Sequence, residues 1–196
     1  MADEKNEEVE ESTGDLAAQI LAIAAQEEGG TELRTIGLCG DIDEEKTAEI
    51  LHAMIVLRET GIREVPVKPD KPEKGMKIEY EPFDFLISTG GGSAYEMFAI
   101  YDMMRQIREY CPIRTIGMGK VMSAGVVLLA AGAKGERYIG ENCRVMIHSV
   151  AAGYAGNLHN LEAEMDEIRW CQQQYVNALS KESKMTKTQI KRLLAK

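Results

Sequence analysis

The chain has 196 residues, enough for one domain whose apolar core needs neither disulfides nor a structural metal. Its 23 Lys and Arg against 32 Asp and Glu give a formal charge of −9, which argues against nucleic acid or an anionic membrane surface as partner. Cys39, Cys111, Cys143 and Cys171 form no CxxC pair and have no local histidine, so the expectation is no metal site, no cofactor, no disulfide framework and a reducing, cytoplasmic compartment.

Residues 1–12, MADEKNEEVEES, lack both the apolar stretch of a secretory signal and the Arg-rich character of a transit peptide, and read as a solvated tail. Leu16, Ile20, Ile23 and Ala24 then fall at helical spacing, so a tail and N-terminal helix are expected over residues 1–30. LRTIGLCG, from Leu33 to Gly40, reads as a buried strand, followed by a helix from about Glu44 to Glu59. Residues 61–82 hold four of the five prolines and predict a surface loop with a hairpin around Gly75.

FDFLIST begins a second β-α unit: a strand, a turn at Gly90–Gly92, and a helix from Ala94 to Tyr110 with Met97, Ile100, Tyr101, Met104 and Ile107 on one face. IRTIGMG is the next strand, a helix follows over Ser123 to Ala131, and RYIGENCRVMIHSV supplies further strand. The apolar run from Val121 to Ala133, broken by Ser123 and Gly125, is far shorter than the roughly 20 residues that span a bilayer. Leu161 to Leu179 is an amphipathic helix with Leu161, Met165, Ile168, Tyr175 and Leu179 on one stripe. Strands alternating with helices predict an α/β fold of stacked β-α units with a largely parallel sheet.

Chemistry concentrates in GKVMSAGVVLLAAG. Ser123 sits among small residues where a strand gives way to a helix, so its hydroxyl is exposed and the unpaired amides of the helix start, Ala124 N–H first, can receive an oxyanion. Taken alone, the commoner role of such a serine is a helix cap. His148 ends the strand RVMIH, where a packed strand-end histidine is the bland reading; His52, in an apolar-rich helix, is explained by packing and His159 by solvation. Gly90–Gly92 follow a strand but lack the GK[ST] or GxGxxG context of a phosphate loop, leaving close approach of substrate backbone and a second oxyanion N–H as their use.

From about Arg34 onward these pieces resemble the ClpP peptidase family. Thr89-Gly90-Gly91-Gly92 stands where that family has Ser-Pro-Gly-Gly, Ile100-Tyr101-Asp102 matches its Ile-Tyr-Asp, MGKVMSAG matches its nucleophile segment, and AAGAKGERY and VMIH fall in register with the Ser-to-His spacing kept. The resemblance implies a ClpP/crotonase-like fold over residues 31–196 with a protruding handle over about 153–182. It also implies Ser123 and His148 as catalytic residues, Gly92 and Ala124 as oxyanion donors, and Gly91, Ser93, Gly153, Tyr154 and Gly156 beside an extended substrate. Partners implied are further copies of the chain in two stacked heptameric rings, a Clp-type AAA+ unfoldase, and unfolded polypeptides cut to short peptides.

The family's third catalytic residue, an aspartate, follows a helix resembling MTKTQIKRLLAK. No aspartate here matches it, Asp166 lies on the handle, and Lys196 is the last residue, so the expectation is either a fragment or impaired activity. Two rival readings follow: a catalytically impaired structural subunit, and a crotonase-type acyl-CoA enzyme. The second needs carboxylates near the Gly turn, where only Glu96 lies, and leaves the Ser-to-His blocks unexplained.

Overall fold

Phe83, Phe85, Ile87 and Thr89 are buried and alternate with half-buried Asp84, Leu86 and Ser88, and this period of two makes FDFLIST a central strand with one face in the core. The computed structural model describes residues 33–195, so the tail and helix expected over 1–30 lie outside the described residues. The strands are β1 (Thr35–Cys39), β2 (Ile62–Pro66), β3 (Met76–Tyr80), β4 (Phe83–Thr89), β5 (Ile113–Met122), β6 (Arg137–Ile139) and β7 (Arg144–Met146). The helices are α1 (Glu44–Thr60), α2 (Ala94–Ile107), α3 (Ala124–Ala130), α4 (Leu158–Glu182) and α5 (Lys187–Leu194).

Strands order β1-β4-β5-β6, with β7 also on β5 and every pair parallel, so the α/β class of stacked β-α units is the one the chain adopts. β5 changes register midway: Ile87 faces Gly117, yet Thr89 faces Val121, and the extra β5 residues are taken up around Gly119 at φ +61°. Its first half therefore pairs with β6 and its second half with β7. This shift explains why RYIGENCRVMIHSV forms two short strands joined by a turn, with Cys143 N–H on Gly140 C=O, instead of one.

The caps are legible residue by residue. Asp43 accepts from Lys46 N at the start of α1, Ser93 from Glu96 N at α2, Asn157 from Asn160 N at α4, and Thr186 with Gln189 makes a reciprocal capping box at α5. Helix α2 buries Met97, Ile100, Tyr101, Met104 and Ile107, each worth roughly 1.5–3 kcal/mol of transfer free energy. Its neighbours are α1 on one side and α3 on the other, and α3 also meets α4.

Residues 61–82 fold as the expected hairpin, β2 against β3 with Pro66 opposite Met76 and Gly75 at φ +109°. Along α4 the first half stays exposed, with Leu158, Leu161 and Met165 in solvent, whereas Cys171, Tyr175, Val176 and Leu179 are buried. His52 is exposed on α1, so packing does not account for it; the core side of that helix is carried by Thr47, Ile50 and Met54.

Candidate active site

The carboxyl ends of β4, β5 and β7 converge, which is where parallel α/β sheets present their crevices. A cleft of about 410 Å³ opens there, with Gly92, Ser93, Ser123, Ala124 and His148 among its lining residues. Ser123 leaves β5 at φ 53°, ψ −123°, and among the described residues it alone combines a side chain with positive φ. Although it occupies the cap position of α3, its hydroxyl makes no capping hydrogen bond, so the bland role of helix cap is not the one it plays. Its N–H donates to Met146 C=O at 2.8 Å, and its C=O accepts Val126 N–H at 3.0 Å and Tyr175 Oη at 2.9 Å.

The glycine turn is held by close approach on both sides. A Cβ on Gly92 would fall 2.3 Å from the Ile42 carbonyl oxygen, and one on Gly91, at φ +112°, would fall 2.6 Å from Ser123 Cβ. Ile42 N–H donates to Gly91 C=O and Ile42 C=O accepts from Ser93 N–H, both at 2.9 Å, a parallel bridge that turns the N–H of Gly92 itself away from Ile42. Thr89 Oγ1 takes Gly91 N–H at 3.0 Å. The N–H groups of Gly92 and Ala124 therefore remain without a partner among the described residues, on the wall of the same cleft.

His148 lies past β7, exposed, with Nδ1 2.6 Å from the Ser149 carbonyl oxygen. A carbonyl only accepts, so this contact puts the proton on Nδ1 and leaves the Nε2 lone pair available as a base. No hydrogen bond joins Ser123 Oγ to His148 among the described residues, and none joins His148 to a carboxylate. Ser149 Oγ donates to Leu194 C=O at 2.8 Å, which fastens the end of α5 beside the histidine. Asp166 is on the exposed face of α4, paired with Arg169 at 2.7 Å.

The segment after His148 also borders the cleft. Val150, Ala151 and Ala152 line the cleft, whereas Gly153, Tyr154 and Gly156 lie farther along the exposed coil and do not, because β7 ends at Met146 and the chain passes the cleft within the next few residues. Met97, Ile168 and Tyr175, which sequence reading assigned only to helix stripes, supply apolar lining together with Cys171. Tyr95 and Glu167 were not legible as site residues at all: a 2.9 Å hydrogen bond joins them at the cleft, and that bond to the carboxylate raises the Tyr95 phenol well above its usual range.

The family model described as Clp protease matches residues 76–196. A protein of Deinococcus radiodurans, "ATP-dependent Clp protease proteolytic subunit", is 43% identical over 88 residues, which is 45% of this chain and 42% of that protein. The chain thus aligns with less than half the length of that curated relative.

Proposed function

We propose, from the premise that this chain belongs to the Clp protease family, that it is a serine endopeptidase subunit: Ser123 attacks a peptide carbonyl, His148 Nε2 takes the hydroxyl proton, and the Gly92 and Ala124 N–H groups receive the oxyanion. The observation that carries this reading is Ser123 itself, a non-glycine residue at positive φ with an unbonded hydroxyl on a cleft shared with His148 and two unpartnered amides. Water then releases the acyl-enzyme, with His148 returning the proton to the leaving amine before activating the water. Extended substrate would run between Gly91–Ser93 and Val150–Ala152, with the next residues, Gly153, Tyr154 and Gly156, reached farther along.

The proposal extends to assembly. Leu158, Leu161 and Met165 stand exposed on the first half of α4, an apolar stripe suited to a second copy of the chain, in keeping with two stacked heptameric rings. A Clp-type AAA+ unfoldase feeding unfolded polypeptide is the partner that the relative's printed name, "ATP-dependent", favours. Four free cysteines agree with a cytoplasmic location.

The rival reading is a silent structural subunit, in which a His148 held at Nδ1 only by a backbone carbonyl never activates Ser123. Both readings meet one experiment. Mass mapping after treatment with a fluorophosphonate should find the adduct on Ser123, and Ser123→Ala should lose both the adduct and hydrolysis of a fluorogenic peptide. Labelling that persists in Ser123→Ala refutes the assignment; a folded, ring-forming chain that never labels supports the structural subunit. Sedimentation velocity tests assembly, a monomer at micromolar concentration being the contrary result.

A further inference from the structure

We propose that Tyr175 is a positioning residue for this chemistry, clamping from α4 the peptide unit between Ser123 and Ala124 so that its N–H faces the oxyanion. The inference rests on Ser123 being the nucleophile. It follows from the planarity of the peptide group: C=O of Ser123 and N–H of Ala124 belong to one rigid unit and point in opposite directions. Whatever fixes the carbonyl fixes the amide. Tyr175 Oη donates to that carbonyl at 2.9 Å, across 52 positions of sequence, and among the described residues the only other donor to it is Val126 N–H within the same turn.

The geometry around the bond favours a device of this kind over incidental packing. Ser123 sits in a backbone region that disfavours a side chain, so a tether is needed to keep it there. Its N–H is already fixed from the sheet side by Met146, and Tyr175 fixes the helix side, so the residue is gripped from β7 and α4 together. Tyr175 is 4% exposed and also lines the cleft. Burial pushes the phenol's pKa up, so the donor proton stays in place throughout the range where a histidine base operates. A hydrogen bond onto the carbonyl also polarises the amide, which makes the Ala124 N–H a better donor.

Tyr175→Phe removes one oxygen and leaves the ring, so it separates the clamp from the cleft wall. Misaiming an oxyanion donor is milder than deleting one, for which losses of roughly 10²–10³ are typical, so kcat and the fluorophosphonate labelling rate should fall roughly 10- to 100-fold with KM unchanged. Tyr101→Phe is the control: it also deletes a buried phenol bond between α2 and α4, at 2.9 Å to Glu182, and should lower the melting temperature without slowing labelling. Tyr175→Met repeats the deletion with a flexible filler and must behave as the phenylalanine variant does, including where that variant folds poorly. Labelling at the parent rate, a rise in KM alone, or equal slowing by Tyr101→Phe each overturns the clamp while leaving Ser123 as nucleophile. A parent chain that never labels at Ser123 overturns both.

Discussion

Replacing Glu182 by alanine tests how the end of α4 is held to the rest of the chain. The Glu182 side chain is 2% exposed, accepts hydrogen bonds from Arg108 at 2.7 and 2.8 Å and from Tyr101 Oη at 2.9 Å, and has Arg105 within 3.6 Å and Arg137 within 3.9 Å. Burial pushes its pKa up, but the hydrogen bonds from Arg108 and Tyr101 outweigh that and leave it below the usual carboxylate range. Three hydrogen bonds to the ionised carboxylate, two from Arg108 and one from Tyr101, at roughly 1.5–3 kcal/mol each set the gross scale. The carboxylate's own desolvation offsets part of it, and deleting one partner of a buried pair costs about 3–5 kcal/mol. That is the expected loss for Glu182→Ala, because three guanidinium groups then face one another and Arg137 Nη2, buried without a hydrogen bond, loses its nearest anion. Urea unfolding followed by far-ultraviolet circular dichroism, at one protein concentration, measures it. Since the folded pKa lies below the unfolded one, this stabilisation is complete above about pH 4.3 and lost as pH falls through the folded value, so parent and variant should converge in acid. A difference under about 1 kcal/mol at neutral pH, or one that persists unchanged into strong acid, refutes the argument.

Gly91→Ala should abolish peptide hydrolysis, since its Cβ would meet Ser123 Cβ at 2.6 Å from a φ of +112°; unfolding should show an accompanying loss of roughly 1–3 kcal/mol, and retained activity would contradict the geometry. Thr186→Ala removes the side-chain half of the α5 capping box, the acceptor for Gln189 N–H, while the backbone N–H of residue 186 keeps Gln189 Oε1, and should cost about 1 kcal/mol by thermal melting. Because Ser149 Oγ is fastened to Leu194 at the other end of that helix, hydrogen exchange at Ser149 and Val150 should quicken in the same variant, and unchanged exchange there would disconnect α5 from the His148 segment.

The β-α order and the apolar stripe of α2 could be read directly, because each is set within a few residues of sequence by the period of its apolar positions. The division of RYIGENCRVMIHSV was hidden, since its cause lies elsewhere, in the register change at Gly119 of β5. His52 misled because apolar neighbours occur on both sides of it, yet the helix turns Met54 inward and the histidine outward. At the candidate site, local composition marked Ser123 as a strand-to-helix serine and Gly90–Gly92 as a turn, and the roles expected of them came from the family resemblance. Tyr175 was legible only as a stripe residue, because a hydrogen bond across 52 positions leaves no local trace. The glycines at 153 and 156 drew attention as substrate-facing positions, while the residues that do line the cleft, Val150 to Ala152, carry no signal beyond small size.

The strain at Ser123 can be weighed against what holds it. A side-chain-bearing residue at φ 53° costs of order 1–3 kcal/mol, and three hydrogen bonds, from Val126, from Tyr175 and to Met146, contribute about 1 kcal/mol each. The two sums nearly cancel, so no single one of the three bonds is surplus. Val126 belongs to the same turn and cannot by itself resist relaxation of that turn, which leaves β7 and α4 as the external supports. The consequence is that the conformation of Ser123 depends on three separated segments, β5, β7 and α4, with one phenol as the hydrogen bond from α4. The same helix carries an exposed apolar first half, with Leu158, Leu161 and Met165, and the buried second half from which Tyr175 reaches the Ser123 carbonyl.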